Sequence, residues 1–153
     1  MPSLTTYRRT TAPEMGAFFL GTASTGSVVV SAPDLVATTV SNPPATARVG
    51  TSFNVTDSTA NRGGVASAAS VTRYYLSLDR AKSTGDPLLS GSRNVPILAA
   101  NAVSTGAAAV TIPTATAAGT YYLLACADDT KVRIESNETN NCVASASAIK
   151  VGP

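Results

Sequence analysis

Apolar and polar residues alternate with a period of two along much of this chain, and each alternating run stops at a cluster of turn-forming residues. Successive side chains of a strand face opposite sides, so each run predicts a strand with one face for a core. Residues 34–41 form the first, with Leu35, Ala37 and Thr39 on one face and Val36, Thr38 and Val40 on the other; Asn42-Pro43-Pro44 ends it. A second runs from Thr51 to Asn61 with Phe53 and Val55 inward. Asp57 shares their parity, which predicts a bulge or a strand end beside it. Asn61-Arg62-Gly63-Gly64 reads as a turn, its glycines free to take positive φ. A third strand covers Val71 to Leu78, with Tyr74, Leu76 and Leu78 as its core set. Asp79 to Pro87 reads as a polar loop, Leu88 to Pro96 as a short edge strand, and Ala107 to Ile112 as a strand closed by Pro113. With the two strands described next, about seven short strands predict an all-β immunoglobulin-like sandwich.

The last two strands carry the densest pattern. In the first, Tyr121, Leu123, Ala125 and Ala127 share one face, and Tyr122, Leu124 and Cys126 the other. In the second, Val143, Ser145, Ser147, Ile149 and Val151 share one face, and Cys142, Ala144, Ala146 and Ala148 the other. If the Tyr121/Leu123 and Val143/Ile149/Val151 faces meet the core, Cys126 and Cys142 lie together on the outer face. They then either form a cross-strand disulfide or remain two small apolar residues that never pair. The cross-link would close a loop of about sixteen residues, worth roughly 3 kcal/mol in the chain-entropy account. Tyr121 also stands where a tyrosine corner would fall.

Between these strands, A-D-D-T-K-V-R-I-E-S-N-E-T-N-N-C follows G-T-Y-Y-L-L-A-C. With P-D-L-V-A-T-T-V at 33–40, S-F-N-V-T-D-S-T-A-N-R-G-G at 52–64 and T-R-Y-Y-L-S-L-D at 72–79, this series resembles the bacterial cell-adhesion-related domain family CARDB over about residues 33–151. The resemblance implies an immunoglobulin-like sandwich with a binding or spacing role and transfers no catalytic residue.

Composition narrows the function classes. Charged residues make up 13% of the chain, the net charge is +2, and the basic residues are scattered without a stripe, which argues against nucleic acid as a partner. No apolar run is long enough to span a bilayer. The chain has no histidine, no G-x-S-x-G elbow and no phosphate-cradling glycine loop, so an enzyme is not expected. Asp128, Asp129, Glu138 and Asn140 supply hard oxygen atoms that suit calcium, although the spacing is not that of an EF-hand loop. The competing reading is that these side chains cap their own turn, and Lys131 and Arg133 between them favour it.

Residues 1–32 differ from the rest and are expected to form an N-terminal arm ahead of a sandwich at 33–153. Thr11 to Phe19 fits about two helical turns, with Thr11 as cap and Pro13 in the first turn. Met1 begins no secretory signal pattern and reads as a start. T-T-Y-R-R and E-M-G-A-F-F-L-G-T-A-S-T-G-S-V-V-V resemble the opening of small structural proteins of tailed phages. That resemblance implies a virion-surface protein, such as a capsid decoration subunit. Tyr7, Arg8, Phe18, Phe19 and Leu20 would then dock it to other subunits in an oligomer, leaving host-surface or glycan contact to the sandwich. The alternatives are an extracellular or cell-surface adhesion module, which the CARDB resemblance and the cysteine pair favour, and a calcium-dependent carbohydrate binder.

Overall fold

A computed structural model of the chain describes residues 31–153, and the expected arm contacts Tyr7, Arg8, Phe18, Phe19 and Leu20 lie outside the described residues. From Ser31 onward the fold is all-β with eight strands: β1 (Leu35–Val40), β2 (Thr46–Arg48), β3 (Ser52–Asn61), β4 (Ser70–Ser77), β5 (Leu88–Val95), β6 (Val103–Thr111), β7 (Gly119–Cys126) and β8 (Cys142–Gly152). They run in the order β1-β3-β6-β5-β4-β7-β8-β2, a sheet that curls on itself into two layers. Leu35, Ala37, Val55, Val110 and Ile112 of one layer pack against Tyr74, Leu76, Leu123, Ile149 and Val151 of the other. Area removed from water at about 25 cal/mol per Å² makes this the principal stabilising term.

β5 departs from the expected edge strand. It lies between β6 and β4 and joins the two layers. Leu88 and Ser92 to Val95 pair with β4, whereas Ser90 pairs with β6. Its register with β4 shifts at a bulge around Gly91, whose φ is +105°, and a Cβ there would come within 2.3 Å of the Ala109 carbonyl oxygen. Only glycine fits that crossing. β2, too short to show a period, pairs parallel with β8 and was not legible as a strand.

Three local departures have definite causes. Thr39 is exposed and Val40 packs toward the core, because a bulge between Ala37 and Thr39 reverses the facing of β1. Leu78, expected inside, is 68% exposed. β4 ends at Ser77, whose buried hydroxyl donates to the Ala81 carbonyl while its oxygen accepts from Asp79 N–H, and the chain turns before Leu78 can enter the core. On β8, Ser147 is also exposed, since Tyr122 faces Ala148 while Leu124 faces Ala144, and the surplus residues bulge outward. The Ser145 hydroxyl takes up the Leu123 N–H that this bulge leaves without a strand partner. Tyr121 forms the expected corner: its hydroxyl donates to Ala117 O at 2.8 Å, and Gly119 leaves room for the ring.

Candidate functional site

The polar loop between β7 and β8 has a structural task that its sequence did not announce. One edge of β1 pairs with β3; the other would be open for pairing with a foreign strand. The loop covers that edge. The Glu135 carboxylate accepts the Leu35 N–H at 2.8 Å and the Asn141 amide at 2.7 Å, and Asn141 O accepts both the Ala37 and the Ala127 N–H. Asn140 donates to the Asp34 carboxylate, and Ser136 N–H donates to Pro33 O. Asn137 turns the tip by accepting from Thr139 N–H and hydroxyl, while Glu138 accepts the Glu135 N–H. The E-S-N-E-T-N-N run is thus a built cap for the first strand.

At the base of this cap Cys126 and Cys142 face each other across the β7–β8 ladder and form a disulfide. The strand parity placed them correctly: they lie on the outer face, where Cys126 joins Tyr75, Leu124 and Ala144 in a small apolar cluster of its own. Cys126 is buried and Cys142 exposed. Arg80 stacks over the Tyr122 ring and Lys82 over the Tyr75 ring, so the 79–86 loop shelters this face. The cysteines form part of the wall of a shallow cleft of about 430 Å³ between this loop and the cap.

The calcium candidates do not converge. Asp129 accepts the Tyr75 hydroxyl at 2.6 Å and lies beside Arg73 and Lys82. Asp128 takes the Arg133 N–H, Glu138 pairs with Lys131 at 2.9 Å, and Asn140 is turned to Asp34. Among the described residues no three acidic, cysteine or histidine side chains are grouped as a metal would require. The carboxylates therefore already hold protein donors, with two ammonium groups in the space a cation would need, and this donor set does not fit calcium.

Burial pushes the Glu135 carboxyl up to about 7, the nearby carboxylates of Glu138 and Asp128 adding to the effect, while the Asn141 and Leu35 donors oppose it. A carboxyl whose folded value exceeds its unfolded one contributes stability below the unfolded value and loses it as pH rises through the folded one. Stability should accordingly fall between about pH 4.5 and 7 through this group. The difference in urea stability between the native chain and Glu135→Gln, followed across that window, isolates the effect; a difference independent of pH would show that Glu135 does not titrate there.

A second buried charge was missed by the sequence reading. Asp57 is fully buried on β3 and takes four donors: Arg93 Nε at 2.8 Å, Arg93 Nη2 at 2.7 Å, the Tyr74 hydroxyl at 2.6 Å and, more loosely, the Thr59 hydroxyl at 3.4 Å. Burial and the Asp57 bond hold the Tyr74 hydroxyl far above its ordinary value, keeping it a donor. A bulge does lie near Asp57, but on the neighbouring β1. Arg93 is hidden in a strand that seemed an edge, so nothing in the sequence paired it with Asp57.

The sequence profile of the CARDB family matches residues 32–145, well over half the chain. The chain belongs to the CARDB family. Its fold is similar to the CARDB domain of a Pyrococcus furiosus protein solved in complex with di-metal ions, at 19% identity and a TM-score of 0.53, covering 81% of this chain and 97% of that one. The same Pyrococcus domain in solution aligns at 21% identity and a TM-score of 0.51 over 80% of this chain and 97% of that one. A domain of a candidate cell surface protein from Methanosarcina acetivorans aligns at 19% identity and a TM-score of 0.52, over 79% of this chain and 93% of that one. No curated protein matches. The CARDB assignment makes the chain a cell-adhesion-type module with an immunoglobulin-like sandwich, as the four sequence stretches implied.

Proposed function

We propose that this CARDB protein is a non-enzymatic module displayed outside the cell, where it holds a rigid surface for contact or spacing. The observation that carries this reading is the disulfide-based cap: a cross-link that persists in oxidising compartments secures the loop that closes the first strand's edge. Its polar side chains are spent on one another and on the backbone, which suits a scaffold better than a reaction centre. The Methanosarcina relative, described as a candidate cell surface protein, supports the same placement. The test is protein recovered from its native source, with free thiols blocked at lysis. Oxidised Cys126–Cys142 together with cleavage by protease added to intact cells is expected; a fully reduced, protected protein would overturn the reading.

The Pyrococcus domain was solved with metal ions, whereas in this chain Lys82 and Lys131 pair with the loop carboxylates Asp129 and Glu138. Calcium at millimolar concentration is expected to leave the melting temperature unchanged, and a rise of several degrees would refute this. The phage-like pattern of residues 5–30 favours a second reading, display on a virion. Light scattering on the full chain beside a chain lacking residues 1–32 tests it: a closed oligomer that becomes monomeric on deletion supports the virion, and two monomers remove it.

A further inference from the structure

The cap closes the free edge of β1, but nothing equivalent closes β6 among the described residues. β6 runs for nine residues without a bulge, and one side of it pairs with β3 along its whole length. On the other side its ladder is the single pair Thr111 and Ser90. The register shows which backbone groups this leaves over. Asn61 N–H donates to Ala102 O and Ile112 N–H to Thr51 O, so the even-numbered residues of β6 turn their N–H and C=O toward β3. Val103, Thr105 and Ala107 therefore turn theirs outward in the plane of the sheet, where no strand of the described residues receives them. All three are exposed, Val103 by 59%.

Soluble proteins blunt such an edge with lysine, proline, a bulge or a covering loop. β1 has the loop, whereas V-S-T-G-A-A-A-V-T of β6 has none of these devices. No charged residue occurs between Arg93 and Asp128, and within β1, β3 and β6 the single charge is Asp57, buried and paired. That absence of charge also selects the occupant. We propose that β6 pairs antiparallel with β6 of a second copy of this chain, about a two-fold axis at Thr105, joining two three-stranded layers into one continuous sheet. Val103 then faces Ala107 of the second copy, Thr105 faces its own counterpart, and each pair exchanges two backbone hydrogen bonds. On the outer face a threonine meets a threonine, and a small alanine leaves room for the exposed valine. A charged edge would meet its own charge across this axis; here there is none to repel. A foreign strand could satisfy the backbone, but the match of these side chains with themselves singles out a second copy.

The contact buries little side-chain surface and belongs with weak interfaces, below about 1,200 Å². Copies held side by side on a surface raise one another's effective concentration, and the pairing would there set them in register; that consequence alone rests on the display reading. Sedimentation equilibrium of the full, oxidised chain from about 10 μM to about 1 mM spans the range suited to so small an interface. A monomer–dimer equilibrium is expected. Thr105→Lys sets two ammonium groups against each other at the axis and should raise the dissociation constant by about tenfold or more. Thr105→Val, equally β-branched and uncharged, should leave it nearly unchanged, and the melting temperature of each variant at low concentration checks that it is folded. Amide hydrogen exchange locates the contact: Thr105 and Ala107 should slow only at high concentration, whereas Ser104 and Ala108, bonded to β3, stay slow throughout. A monomer at every concentration would overturn the proposal, as would a dimer indifferent to Thr105→Lys. Protection of Thr105 and Ala107 at every concentration would overturn it too, by showing that the edge is covered within one chain.

Discussion

Replacing Arg93 with alanine is expected to remove about 3–5 kcal/mol of folding stability, the usual cost of breaking a buried ion pair from one side. Asp57 has no exposure to water and Arg93 only 6%, so the carboxylate left behind can neither be solvated nor keep its charge without strain. The loss extends further. Arg93 also donates to the Ser104 carbonyl and hydroxyl, and its aliphatic stem packs so closely on Gly106 that a Cβ there would meet it at 2.9 Å. Because Asp57 belongs to β3, Tyr74 to β4 and Arg93 to β5, the network ties both layers of the sandwich together. Urea unfolding measures the effect, and it should appear as a lower midpoint with an unchanged slope. Replacing all three polar groups together, Asp57→Leu, Arg93→Met and Tyr74→Phe, should recover much of the loss, since an apolar set leaves no orphaned charge. A loss below about 1 kcal/mol for Arg93→Ala would mean that water reaches Asp57, and the network would then not be a structural tie.

This network also shows where reading the sequence stops. Parity depends on neighbours along one strand, so it placed Tyr74, Leu76, Leu123, Ile149 and Val151 inside and both cysteines outside, as found. It flagged Asp57 as out of place among apolar neighbours but had no means of finding Arg93, 36 positions on and in a strand that joins the layers. The failures at Thr39, Leu78 and Ser147 share a cause. A bulge or an early strand end changes the facing of everything after it, and only tertiary packing reveals where the chain takes one. The acidic and amide loop was legible as a self-capping turn, but not as the cap of β1, because Leu35 and Glu135 are 100 positions apart.

Breaking the disulfide should have the second large effect, about 3 kcal/mol from the released loop. Cys142→Ser is the cleaner change: Cys142 is exposed, and the Cys126 thiol it leaves remains an adequate apolar filler beside Tyr75 and Leu124. Cys126→Ser should cost about 1–3 kcal/mol more, because its hydroxyl would be buried in that apolar cluster. The native chain treated with a reductant should unfold with Cys142→Ser rather than with the oxidised form. Where the weakening appears matters as much as its size. Asn141, next to Cys142, receives the Ala37 N–H and positions Glu135, which receives the Leu35 N–H. Hydrogen exchange at Leu35 and Ala37 should therefore quicken on reduction, while Val55 in the core stays protected. If those two amides exchange at unchanged rates, the polar bonds alone hold the cap, and the cross-link stabilises the fold only through the unfolded chain.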